Sequence, residues 1–146
     1  MCMMLYIGSD NELPLIEWRD GETPICVSAL NILSKDYKDD DFFACEYLKK
    51  RYKYHIGSWE GCGCGFEFDY SDELYDKDDN DLGKQSVEAL FGYIRANVIG
   101  GECELLSFWS GDQYKGITHQ SNIDLKEFIP SESFSFEEGQ YTVVQK

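Results

Sequence analysis

Basic residues are scarce in this 146-residue chain: 13 Lys+Arg stand against 28 Asp+Glu, a formal net charge of −15. That shortage argues against nucleic-acid binding, which is driven by Lys and Arg neutralising backbone phosphates. Long apolar runs are missing as well. None approaches the roughly 18 residues that span a bilayer, so no integral membrane segment is expected. The first residues, Met1 to Gly8, have no basic n-region and only a short apolar run, unlike a secretory signal. Proline is sparse at three residues and histidine at two, which limits both rigid turns and imidazole chemistry. What is present in quantity is apolar and aromatic: 42% hydrophobic and 15% aromatic, too much for a disordered acidic tail.

Six cysteines without a signal segment read as intracellular thiols rather than a disulfide framework, so a cytoplasmic location is expected. Cys2, Cys26, Cys45 and Cys103 lie inside apolar stretches, where a free cysteine behaves as a small buried hydrophobe. Cys62 and Cys64 differ, because they alternate with Gly61, Gly63 and Gly65.

Hydrophobic spacing predicts strands over 2–7, around Ile25-Cys26-Val27, over 52–56, 64–70 and 102–109, and a C-terminal β-hairpin joining Phe134–Phe136 to Tyr141–Val144. Helices are predicted over 43–52, following the acidic run Asp39-Asp40-Asp41, and over 85–98, where Val87, Leu90, Phe91, Ile94 and Val98 share one face. Residues 71–83 carry no apolar period and read as a solvated acidic loop. Ser121-Asn122 reads as the cap of a short helical turn over 124–128. The expected fold is a single α/β or α+β domain: one mixed sheet of five to seven strands with two main helices.

The segment from Tyr54 to Phe66 carries the strongest pattern. A strand ending in Gly57-Ser58, then Glu60-Gly61-Cys62-Gly63-Cys64-Gly65-Phe66, resembles a family of small uncharacterised bacterial proteins. The opening Leu5-Tyr6-Ile7-Gly8-Ser9-Asp10 and Leu13-Pro14-Leu15-Ile16 belong to the same pattern. The resemblance covers the first half of the chain well and the remainder loosely. It implies a bacterial cytosolic origin and assigns no activity or catalytic residue.

Several chemistries compete for the Gly61–Gly65 loop. Its glycines permit a tight bend with both thiols turned inward. Two thiolates two residues apart can share a zinc ion, with His55, His119, Cys2, Cys26, Cys45 or Cys103 completing the set, although structural zinc sites normally use C-x₂₋₄-C pairs. A reversible Cys62–Cys64 disulfide would be strained and oxidising. Against it, no Lys or Arg lies between Lys53 and Lys77, so nothing nearby in sequence lowers a thiol pKa. His55 is the candidate base or third ligand. Calcium is disfavoured: counted from Asp76, Asp81 replaces the EF-hand glycine and Val87 the terminal glutamate, and counted from Asp78, Leu82 takes the third ligand position and Ala89 the last.

Three strand ends share a Gly/Ser character: Gly8-Ser9-Asp10, Gly57-Ser58-Trp59-Glu60 and Trp109-Ser110-Gly111-Asp112. If their strands ran parallel, Ser9, Asp10, Ser58, Trp59, Glu60, Ser110 and Asp112 would open onto one crevice. Trp59, with little apolar company, is the aromatic expected to be exposed and to anchor a partner. No catalytic set is convincing, so the leading expectation is a non-enzymatic acidic protein of inhibitor or immunity type, with no cofactor, recognising a basic protein. The alternatives are a Cys-dependent zinc or redox site and small-molecule binding at the strand ends. The negative charge is concentrated: residues 67–81 hold eight acids and one base, whereas 35–53 hold five acids and six bases.

Overall fold

The computed structural model describes residues 2–30 and 40–146. Its centre is β1 (Met3–Ser9), the continuous apolar run, buried along nearly its whole length because both sheet faces are covered. β1 lies between β3 (Tyr52–Gly57) and β5 (Glu102–Trp109), antiparallel to both. β2 (Cys26–Ala29) closes one edge of the sheet against β3. Beyond β5 come β8 (Gln140–Gln145), antiparallel to it, and β6 (His119–Asp124), parallel to β8. The six-stranded order is therefore β2-β3-β1-β5-β8-β6. The expected single mixed α/β domain with two helices is observed.

Alternation along the strands sorts side chains onto two faces. Leu5, Ile7, Tyr54, Ile56, Leu105 and Val144 meet Val87, Leu90, Phe91 and Ile94 of the long helix α2 (Lys77–Asn97). Tyr6, Leu106 and Phe108 point the other way, against Ala44 of α1 (Asp40–Tyr47) and Leu48 just beyond it. Glu104, 2% exposed on that second face, accepts hydrogen bonds from the backbone N–H groups of Lys49 and Lys50 and from the Tyr141 hydroxyl. These bonds satisfy its buried carboxyl group and fasten the chain leaving α1 to the sheet.

Several local expectations are corrected. The loop predicted over 71–83 is helical from Lys77 onward, because Asp76 caps the backbone N–H groups of Asp78 and Asp79. In place of a strand over 64–70 there is a 3₁₀ turn, Gly63–Gly65, and a two-residue strand β4 (Phe68–Asp69). Helix α1 ends at Tyr47 instead of residue 52; Asp39, proposed at its start, lies outside the described residues. Ser121 and Asn122 belong to β6, and a single turn follows, with the Phe128 N–H donating to the Asp124 carbonyl. The C-terminal strand–turn–strand is present with Gly139 at φ 69, but its arms have separate partners: β7 (Ser133–Phe134) pairs with β4, and β8 with β5.

Candidate functional site

The Gly/Cys loop is organised around one buried serine. The Ser58 side chain, wholly buried at the end of β3, donates to the Cys62 carbonyl at 2.6 Å and accepts from the N–H of Gly65 at 3.0 Å. The Ser58 N–H also donates to the Cys62 carbonyl, and the Gly61 N–H returns to the Ser58 carbonyl. This closed turn demands φ 86 at Gly61, a left-handed value that glycine adopts without strain. A Cβ on Gly65 would lie 2.3 Å from the Ser58 hydroxyl, and one on Gly63 would lie 2.7 Å from the Met3 carbonyl. Glycine at both positions lets the turn press onto the start of β1. The Trp18 indole covers Gly61 from outside and donates to the Trp59 carbonyl at 3.2 Å.

That close approach selects Cys2, which its apolar stretch suggests is core, from the six residues that could join the loop thiols. Cys2, immediately before β1, is exposed, and its Sγ converges with those of Cys62 and Cys64, all three within 4.8 Å of one another. Cys62 and Cys64 are half-buried. The Met3 N–H donates to Cys64 Sγ at 3.0 Å, the type of backbone contact that steadies a thiolate ligand. The Ser110 N–H holds the Cys2 carbonyl at 2.7 Å, continuing the β1–β5 ladder past its last paired residues. Burial pushes the Cys62 thiol up to about 12, and the neighbouring Cys64 and Cys2 sulfurs add to the rise. Without a cation, Cys62 is therefore a protonated thiol at neutral pH and a poor nucleophile.

His55 does not join this cluster. Tyr54 and Ile56 on either side of it face α2, so His55 points to the α1 face, where its ring meets Tyr6 edge-on at 5.7 Å between centroids. Its Nε2 is buried without a hydrogen-bond partner among the described residues, and burial lowers its pKa, partly opposed by Asp41. Cys26, Cys45 and Cys103 stand outside the cluster. Cys26 Sγ faces the Gly61 carbonyl at 4.0 Å, and Cys103, fully buried, has its thiol pushed up to about 12 by burial.

The crevice of three strand ends does not form. Because β1 is antiparallel to β3 and β5, its end at Ser9 and Asp10 lies at the opposite end of the strands from Ser58 and Ser110. Ser9 is buried and bonded to Asn11, while Asp10 pairs with Lys50 at 2.8 Å. At the other end, Ser58 is consumed by its turn, and Asp112 pairs with Lys115 at 3.2 Å. Trp59 is half-buried rather than exposed: its N–H donates to Ser86 Oγ, and its indole nitrogen is enclosed without a partner among the described residues. Beside it lies a cavity of about 240 Å³ bounded by Asp20, Thr23, Pro24, Leu82 and Gln85. Glu60 is exposed.

Comparisons with protein-family models, curated proteins and solved structures return no match. The fold is a mixed α/β sheet with a helix on each face, and its distinctive chemistry is three converging thiols at one end. No helix among the described residues is long and apolar enough to cross a membrane.

Proposed function

We propose that the protein binds a thiophilic metal ion through Cys2, Cys62 and Cys64. The observation that carries this reading is the convergence of three sulfurs from two distant parts of the chain. Tetrahedral Zn–S bonds of about 2.3 Å separate sulfurs by roughly 3.8 Å, so small rotations about χ1 would close the set onto one ion. A cation displaces the thiol protons and supplies the positive charge that no Lys or Arg between residues 54 and 76 provides. The same proximity also suits a disulfide, and the high pKa of Cys62 counts against rapid exchange from that sulfur.

The experiment is metal analysis of reduced protein purified without chelator, alongside Cys2→Ser, Cys62→Ser and Cys64→Ser. One tightly held equivalent is expected in wild type and less than a tenth of that in each variant. Wild-type protein that takes up no zinc, cadmium or copper when titrated would overturn the reading.

A second reading, recognition of a basic protein, is favoured by a separate observation. Leu74 is 94% exposed, and Tyr70 and Tyr75 about two-fifths exposed, within the stretch that holds eight acids. Apolar anchors ringed by one sign of charge suit a partner of the opposite sign. Immobilised protein should capture a basic partner from lysate at 50 mM salt and release it at 500 mM, and Leu74→Ser should lose it. Capture that ignores both salt and Leu74 would sink this reading.

A further inference from the structure

The ligand set argues for a particular kind of ion. Three thiol sulfurs converge, and no histidine, carboxylate or fourth cysteine among the described residues lies within the same 4.8 Å. A structural zinc site is normally closed by four protein ligands, and zinc with three must hold water or another ligand in the fourth place. Soft monovalent copper is selected by thiolates and is satisfied by three of them in a plane.

The surroundings favour three ligands as the full set. Cys62 and Cys64 are fixed by the Ser58-centred turn, and Gly63 between them is pressed against the Met3 carbonyl and the Leu5 N–H. A side chain in place of Gly63 would strike that strand backbone, and the ligand atoms that converge among the described residues are the three sulfurs alone. Cys2 closes the outer side and is itself exposed, so an ion held here is accessible to an incoming thiolate. The C-x-C spacing and the remote third sulfur thus build a shallow trigonal seat rather than an enclosed tetrahedron.

We infer that Cys2, Cys62 and Cys64 bind one Cu(I) ion in three-coordinate, all-sulfur geometry, with Cys2 as the exchange-side ligand. The inference rests on the thiophilic-metal reading and narrows it. Binding is a ligand exchange with no redox change: Cu(I) and three thiols give a copper tris-thiolate of net charge −2 and three released protons.

The test titrates reduced full-length protein anaerobically with Cu(I) presented in a coloured chelator complex, and separately with Zn(II), with the metal environment read by X-ray absorption. One Cu(I) per chain with three sulfur neighbours and no lighter ligand is expected. Cys2→Ser, Cys62→Ser and Cys64→Ser should each weaken binding at least 100-fold. Cys45→Ala and Cys103→Ala, at thiols outside the cluster, should stay within threefold, and circular dichroism confirms that each variant folds. Copper bound by two sulfurs, copper spread over several sites, or stoichiometric Zn(II) that equimolar Cu(I) does not displace would overturn the Cu(I) assignment while leaving the thiophilic reading intact. Failure of every soft ion to bind would overturn both.

Discussion

At the scale of single residues, two side chains with buried polar atoms show opposite solutions to the same problem. The Glu104 carboxyl group is satisfied under the sheet because three donors converge on it. His55, enclosed against Tyr6 with an unpartnered Nε2, meets burial by staying neutral, and its pKa is lowered accordingly. The unfolded chain takes up a proton at His55 near the ordinary value of about 6.5, whereas the folded chain does so only at lower pH. Between those two values the unfolded state binds more protons, so stability falls as pH drops through that window. The urea midpoint of wild type is therefore expected to fall further between pH 7.5 and pH 5.5 than that of His55→Gln. Both proteins share the same carboxylates, so the difference isolates the imidazole; equal drops would show that His55 is charged in the fold or contributes nothing.

At the scale of elements, α2 carries two glycines in contrasting settings. A Cβ on Gly83 would lie 2.0 Å from the Glu67 carbonyl oxygen, whereas one on Gly92 would meet nothing within 4 Å. Gly83→Ala should destabilise by about 1–3 kcal/mol, since helix or loop must shift to admit the methyl. Gly92→Ala should stabilise by about 0.5–1 kcal/mol through the restricted unfolded chain and better helix propensity. Denaturant melts of the pair check this, and the same sign for both would refute the packing argument. Gly83 also shows why the first turns of α2 were illegible. Their inward positions are Asn80, Gly83 and Ser86, all buried, while Leu82 faces outward, so no apolar period marks the segment as helical. Asn80 instead packs through hydrogen bonds to the backbone of Asp69. The strands were readable because their alternation reports directly on two covered faces, as in β3 and β5. The unusual loop is readable from its glycines, and Cys2 is one of six residues the sequence offers as partners for its thiols; only the pressing of Gly63 onto Met3 singles that sulfur out, and no local spacing encodes such a contact.

At the scale of the whole molecule, the charge of −15 sets a repulsion that the fold relieves only in part. Asp78 and Asp79 are well placed in the first turn of α2, where the helix dipole and the Asp76 cap favour negative charge. The remaining acids of 67–81 have Lys77 as the only base within that stretch. Among the described residues Lys50 pairs with Asp10 and Glu102 from a partly buried position, while Arg19 with Glu22 and Lys115 with Asp112 are surface pairs. Pairs of that kind contribute about 0–1 kcal/mol each and lose little when screened. Repulsion among fifteen excess charges acts over the Debye length, about 30 Å at 0.01 M salt and about 8 Å at 0.15 M, so salt removes more repulsion than attraction. The thermal midpoint is expected to rise between 10 and 150 mM NaCl, and Glu73→Lys, at an exposed position in the acidic stretch, should raise the low-salt midpoint and flatten the salt response. A midpoint that falls with salt would mean that the few attractive pairs outweigh the acidic excess, and that the −15 is already balanced in the folded protein.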